Sequence, residues 1–201
     1  MARHLLRRLV TTSIAGVNLE YSDFTFKHSQ LKAKFDKREY RALELDNGMK
    51  VLLVKDPGAR TSAIAMDVGV GSMKDPREYQ GLAHFLEHLM FFGNASDGEE
   101  LSLEKYLAKY GGVTNARTSL EHTTYHCTMD SEVDFQETLE RFISLFTSRP
   151  VLKYDALRRE VNAIDNEHKG NRHDDEKRLH QLKRSLAHAN HPYSNLGTGN
   201  K

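Results

Sequence analysis

The chain has 201 residues, of which 38% are hydrophobic and 28% are charged, and its formal net charge at pH 7 is +1. This length allows one domain with a sizeable core, or one and a half small domains, and the polar composition is typical of a globular protein. A chain with almost balanced charge has no electrostatic reason to bind nucleic acid, so we expect no nucleic-acid partner. Because no apolar run approaches the roughly 18 residues needed to span a bilayer, we also expect no transmembrane segment.

Cys127 is the only cysteine. A single cysteine excludes an internal disulfide, fits a reducing compartment and cannot form a cysteine-rich zinc site. The simplest interpretation of Cys127 is a small buried hydrophobic residue. Any zinc bound by this chain must therefore be held by histidine and carboxylate side chains.

The N-terminal composition leaves two interpretations open. Residues 1–19 contain Arg3, Arg7 and Arg8 and no acidic residue before Glu20. This composition is typical of a mitochondrial transit peptide, but an ordinary basic tail explains it equally well. We therefore treat residues 1–34 as a basic tail and lead-in that could serve as a targeting segment. The predicted location is cytoplasmic, with a mitochondrial location as the alternative.

The first half of the remaining sequence favours strands. Residues 20–38 are polar and are interpreted as a lead-in with little core of its own. Two β-prone runs, residues 38–45 and 49–56, flank the turn signal Asp46-Asn47-Gly48, which predicts a hairpin. Residues 61–70 alternate small and apolar side chains and predict a further strand.

The second half mixes helices and strands, which favours an α+β fold with helices packed on a largely antiparallel sheet. The patterns predict a loop at 94–100, followed by a helix that Ser102 caps and Gly111-Gly112 ends. Two strands are predicted within 113–129, with a turn near 120–121. A helix over 134–146 and helical stretches over 154–187, with a break near Gly170, complete the prediction.

The segment GLAHFLEHLMFFG, residues 81–93, carries His84, Glu87 and His88 in the order H-x-x-E-H. In a helix the two histidines lie one turn apart on the same face, where they can bind one zinc ion. A carboxylate beside them can take a proton from water activated by the metal. The alternative is a buried amphipathic helix with two histidines at its rim. A third ligand would decide between the two.

Glu160 and Glu167 are candidates for that third ligand. They are seven residues apart, close to two helical turns, so both lie on one stripe beside the apolar residues of their helix. Glu167 could complete a site with two histidines and one glutamate, and Glu160 could support a ligand from behind. On residue type alone, two solvated surface carboxylates are the more common case.

Other charged and histidine residues give weaker signals. His122 and His126 would lie about 13 Å apart on a strand, too far to share a metal. Lys177, Lys183 and their neighbours Arg178 and Arg184 are interpreted as a solvated helix face. A cluster of His168, His173 and His180 is a poor candidate for a metal site.

Four blocks in this order, GLAHFLEHLMFFG, GGVTNARTSLEHTTY, RREVNAIDNEH and HPYSNLGTGNK, resemble the insulysin branch of the M16 zinc metallopeptidases. The resemblance covers residues 35–201 and implies the N-terminal catalytic domain of that family, expected to be incomplete at its C-terminus. Members of this branch are far longer, so the resemblance also implies a missing C-terminal half of the same protein as a partner.

The resemblance implies a role for each matched residue. His84, His88 and Glu167 correspond to the Zn2+ ligands, Glu87 to the general base and Glu160 to the acidic residue that supports the site. A further pair, Asn115 and Ala116, corresponds to the edge strand along which extended peptide substrates lie. The implied function is a zinc metalloendopeptidase. The alternative is a truncated fragment or interaction subunit that binds zinc but is catalytically incomplete.

Some features depart from the family pattern. Between His88 and Glu167 lie 78 residues, slightly more than is usual in the insulysin branch, and the loop at residues 94–101 could absorb the difference. Arg117 stands where insulysins tend to carry an aromatic residue, which affects the preference at the adjacent substrate position. A long acidic insertion before the histidine helix is lacking, so the nardilysin branch fits less well.

Overall fold

The computed structural model describes residues 21–24, 32–91, 102–147 and 154–200. These residues fall into two compact units, which divide between Arg60 and Thr61. The candidate targeting segment and the loop at residues 94–101 lie outside the described residues. The predicted domain boundary near residue 35 stays a prediction.

The first unit contains a three-stranded antiparallel sheet. Its strands are β1 (Tyr21–Phe24), β2 (Glu39–Leu45) and β3 (Lys50–Lys55). The predicted hairpin is confirmed: Gly48 has a φ of 80°, and the side chain of Asn47 accepts the Met49 N–H at 3.0 Å. Strand β1 lies within residues 20–38, for which the sequence pattern predicts no strand, because four residues are too few to show a clear alternation.

The second unit contains three strands and five helices within the described residues. They are, in chain order, β4 (Thr61–Val68), α1 (Leu82–Met90), α2 (Leu103–Ala108), β5 (Val113–Thr118), β6 (Thr123–Asp130), α3 (Phe135–Thr147), α4 (Tyr154–Asn171) and α5 (Asp175–Ser185). The 3-10 turns Ser72–Lys74 and Arg77–Tyr79 precede α1, and Pro192–Ser194 follows α5.

The sheet of the second unit has the order β4-β6-β5, and both pairs are antiparallel. Side chains alternate across it, so that Tyr125, Cys127 and Met129 on β6 are buried. They form one core with buried residues of α2 and α3, including Leu107 and Phe142. Helices packed on an antiparallel sheet confirm the predicted α+β class.

Cys127 is fully buried within this core. Burial in apolar surroundings disfavours the thiolate and raises the pKa of the thiol to about 11. The thiol therefore stays protonated at neutral pH, and the structure agrees with the interpretation of Cys127 as a packing residue.

The helix boundaries follow the predicted capping signals. The Ser102 side chain accepts the Lys105 N–H at 3.3 Å and starts α2. The predicted break near Gly170 is confirmed, since α4 ends at Asn171 and the Asp174 side chain caps α5 through the Lys177 N–H. Among the described residues, the helices are too short or too polar to traverse a bilayer.

Candidate metal centre

The N-terminus of α1 is fixed by a buried carboxylate. Asp75, 9% exposed, accepts the N–H of Gly81 at 2.8 Å and the N–H of Ala83 at 2.9 Å. Both donors belong to the first turn, where helix N–H groups have no partner within the helix, and a negative charge there also complements the helix dipole. Asp75 therefore anchors the end of the helix that carries the H-x-x-E-H motif.

Three ligand atoms from α1 and α4 converge on one point. His84 Nε2 and His88 Nε2 are 3.3 Å apart, and Glu167 Oε2 lies 3.5 Å from the first and 3.8 Å from the second. Among the described residues, His84, His88 and Glu167 are the one group of histidine, cysteine or acidic side chains arranged to hold a metal ion. The structure thus brings together the three residues predicted as ligands.

The outer nitrogen of each imidazole faces a hydrogen-bond acceptor. His84 Nδ1 lies 2.9 Å from the carbonyl oxygen of Thr198, and His88 Nδ1 lies 3.1 Å from Glu160 Oε2. Because a carbonyl oxygen and a carboxylate can only accept, both Nδ1 atoms carry the proton when the rings are neutral. Each Nε2 atom is then left with a lone pair, and the two Nε2 atoms lie 3.3 Å apart.

Two imidazole lone pairs and a carboxylate oxygen within 4 Å of one another repel unless a cation lies between them. A metal with nitrogen and oxygen ligands about 2.1 Å away in a tetrahedral arrangement has ligand atoms about 3.4 Å apart. The observed spacings of 3.3, 3.5 and 3.8 Å are close to that value. The donor set therefore fits a metal ion.

We call His84, His88 and Glu167 the metal-binding group. Glu87 lies beside this group, and all four residues line one cavity. Its carboxylate accepts a hydrogen bond from the hydroxyl of Thr118, the last residue of β5. Burial, and then the nearby Glu87 charge, raise the pKa of Tyr125 to about 12. Glu87 is thus a carboxylate held in one orientation next to the metal-binding group.

The segment after Pro192–Ser194 docks on the N-terminus of α1. The Leu196 N–H donates to Gln80 Oε1 at 2.6 Å, and Thr198 supplies the carbonyl that orients His84. Gly81 has a φ of 88°, and a Cβ built on it would lie 2.3 Å from Gly199 Cα. Only glycine at position 81 allows both this backbone conformation and this close approach.

Gly81→Ala is therefore expected to displace the segment that carries Thr198 and to lower the free energy of unfolding. The left-handed backbone alone costs about 1–2 kcal/mol for a residue with a side chain, before the clash with Gly199 is counted. Urea unfolding followed by circular dichroism measures the loss, and the metal affinity should fall as well.

Gly170→Ala is the matched control for this substitution. Gly170 lies inside α4, and a Cβ there would meet nothing within 4 Å. This change should stabilise the chain by up to about 1 kcal/mol, because alanine favours a helix more than glycine does. Equal destabilisation by the two substitutions would contradict the role assigned to the contact between Gly81 and Gly199.

Sequence reasoning missed Thr118, Thr198 and Asp75. Thr198 is 114 positions from His84 and acts through its main chain, so its residue type carries no signal. Thr118 reaches Glu87 through a strand-to-helix contact that sequence spacing does not predict. No role is assigned to Asp75 from the sequence, although an acidic residue ahead of a helix is a capping signal.

The remaining predicted residues lie on β5. Ala116 lines the cavity, whereas Asn115 is outside its lining. The Asn115 side chain accepts the Ala116 N–H at 2.8 Å. Away from this strand, His122 pairs with Asp67 at 2.9 Å and is not part of the metal-binding group.

Comparison with known proteins shows the family to which the chain belongs. The family described as "Insulinase (Peptidase family M16)" matches residues 50–190, which include all of the metal-binding group. Insulin-degrading enzyme-like 2 of Arabidopsis thaliana is 44% identical over 170 residues, which is 85% of this chain and 17% of that protein. Insulin-degrading enzyme of Bos taurus is 43% identical over 174 residues, which is 87% of this chain and 17% of that protein.

A solved structure leads to the same family. The crystal structure of pitrilysin superposes with a TM-score of 0.79 and 34% sequence identity, covering 90% of this chain and 19% of that chain. The chain therefore spans less than a fifth of the length of each of these three proteins. With the family match over residues 50–190 and this structural likeness, the chain belongs to the insulinase family, peptidase family M16.

Proposed function

We propose that this chain carries the active site of a zinc metalloendopeptidase that hydrolyses extended oligopeptides. The observation that carries the proposal is the convergence of His84, His88 and Glu167 with Glu87 held beside them. Family membership supports peptidase activity in the same direction. Zn2+ is the metal that two histidines and one glutamate commonly hold in peptidases, with a further position left open.

Zinc bound here would act as a Lewis acid that acidifies water and polarises the scissile carbonyl group. Glu87 supplies the proton transfers: one carboxylate oxygen takes a proton from the attacking water and later delivers it to the leaving amine. The hydroxyl of Thr118 holds this carboxylate in place. Glu160, through His88 Nδ1, and the Thr198 carbonyl, through His84 Nδ1, fix the ring orientations of both ligands.

The β5 edge supports binding of an extended peptide. The Ser119 N–H donates to the carbonyl oxygen of His122, so these two residues form a hydrogen-bonded pair. Along an antiparallel ladder, every second residue pair lacks mutual backbone hydrogen bonds. Ala116, opposite Tyr125, belongs to such a pair, and its N–H therefore points away from β6. Among the described residues, β5 pairs with β6 alone, and the Ala116 N–H is bonded by the Asn115 side chain instead. We infer that a peptide strand replaces the Asn115 amide at this donor, which gives affinity independent of the peptide's side chains.

A second candidate is a chain that binds zinc without hydrolysing peptides by itself. The chain spans 17% of the length of each of the two insulin-degrading enzyme relatives, and this small share favours the second candidate. This candidate requires that the groups that enclose the substrate and stabilise the transition state lie outside this chain.

An internally quenched oligopeptide separates the two candidates. The zinc-loaded chain should cleave the peptide, a chelator should stop the cleavage, and added zinc should restore it. Bound zinc without any turnover would favour the second candidate. Cleavage that persists in the chelator, after zinc removal has been verified by elemental analysis, would contradict the metallopeptidase assignment.

A further inference from the structure

The cavity that contains the metal-binding group is lined by an excess of positive charge. Its volume is about 1240 Å³. Five lining residues are permanent cations: Arg117, Arg172, Lys177, Arg178 and Arg184. Three lining residues are carboxylates, and of these Glu167 belongs to the metal-binding group and Glu87 is bonded to Thr118. Glu121 is the only remaining lining carboxylate, so the cations are not balanced by the cavity itself.

Two of the five cations are already engaged. Arg178 pairs with Asp175 at 2.8 Å, and Arg184 donates to the carbonyl oxygen of Asn195 at 3.1 Å. The other three, Arg117, Arg172 and Lys177, differ, because their side chains have no ion pair or hydrogen bond within the described part of the chain. All three are exposed: Arg117 lies on β5, whereas Arg172 and Lys177 lie close together in the chain, one directly after α4 and the other in the first turn of α5. Their charge is therefore available to a ligand in the cavity.

The structure separates residues that the sequence pattern grouped together. Lys177 and Lys183 both belong to α5 and were interpreted as one solvated face. Lys177 lines the cavity, whereas Lys183 is exposed outside it. Only part of this basic helix can thus influence what binds near the metal-binding group.

We propose that the cavity selects peptides with an acidic side chain close to the scissile bond, recognised by Arg172 and Lys177. This inference rests on the proposed peptidase function and adds a substrate class to it. A peptide carboxylate in the cavity is attracted by both cations, and a peptide ammonium group is repelled by them. Because the side chains are exposed, salt screens the preference but does not reverse it.

Peptide binding tests this proposal in the zinc-loaded Glu87→Gln chain, which should not cleave its ligand. Three fluorescent peptides differ only at one position near the centre, which is Asp, Ala or Lys. Fluorescence anisotropy should show the Asp peptide binding about 10-fold more tightly than the Lys peptide at about 50 mM salt, with a smaller ratio at about 500 mM.

Charge reversal provides the matched comparison. Lys177→Glu and Arg172→Glu, each added to the same background, should abolish or invert the order of the Asp and Lys peptides. Lys183→Glu changes the net charge of the chain by the same amount on the same helix and should keep the original order. An equal effect of Lys177→Glu and Lys183→Glu, or equal binding of all three peptides, would overturn the proposal.

The two proposals fail in different ways. Chelator-sensitive cleavage by the unsubstituted chain, together with peptide binding that ignores charge, would retain the peptidase and remove the acidic preference. Charge-selective binding that depends on Lys177, without chelator-sensitive cleavage, would retain the acidic preference and remove the hydrolytic function.

Discussion

Glu87→Gln is expected to slow peptide hydrolysis by orders of magnitude while the chain still binds its metal. Glutamine has nearly the same shape and can still interact with the Thr118 hydroxyl, but it cannot take a proton from water. Loss of a general base lowers the rate by about 10²–10⁴-fold. Because Glu87 lies outside the group that holds the metal, zinc content should be unchanged. Cleavage of a quenched peptide and elemental analysis of the same sample give both values.

Glu140→Gln is a suitable control for this change. Glu140 is an exposed carboxylate on α3 that accepts a hydrogen bond from Gln136. It is not among the residues that line the cavity. It loses the same charge and should retain full activity. Retained turnover in Glu87→Gln would show that another group moves the proton, and zinc loss in that variant would mean that Glu87 takes part in metal binding.

The parts of this site that lie within one helix could be predicted from sequence. The spacing of His84 and His88 places both rings on one face of any helix, and the apolar residues around them make α1 a strong helix prediction. The same holds for Glu160 and Glu167, which share a stripe of α4. What the pattern could not decide is whether those carboxylates face solvent or a ligand. The resemblance to a family favours a ligand, whereas residue type alone favours solvent.

The parts that depend on long-range contacts could not be predicted in this way. Thr198 orients His84 through a main-chain oxygen, and any residue type would offer the same atom. The contact between Gly81 and Gly199 requires two distant glycines to meet, and each alone resembles an ordinary turn glycine. Strand β1 pairs along its whole length with β2, which follows it at a distance in the chain that its own residues do not reveal. Hydrogen bonds between main chains leave little trace in the pattern of side chains.

Replacing a metal ligand should remove the metal, and replacing its supporting residue should only weaken binding. His84→Ala, His88→Ala and Glu167→Ala each delete one of three converging ligand atoms. Glu160→Gln keeps all three but weakens the acceptor that orients His88, a change that typically costs about 10–100-fold in metal affinity. Competition with a chromophoric chelator should therefore rank the three ligand variants below Glu160→Gln, and Glu160→Gln below the unsubstituted chain.

This ranking distinguishes a metal site from a histidine-carboxylate network that merely stabilises the fold. If the network were only structural, each of the four variants would lower the free energy of unfolding, and the size of the decrease would be the same with and without zinc. A metal site instead predicts that added zinc raises the stability of the unsubstituted chain but not of the ligand variants, because binding to the folded state alone stabilises it. His173→Ala, an exposed histidine outside the group, should behave like the unsubstituted chain. Zinc-dependent stability that survives His84→Ala, His88→Ala and Glu167→Ala would place the metal elsewhere.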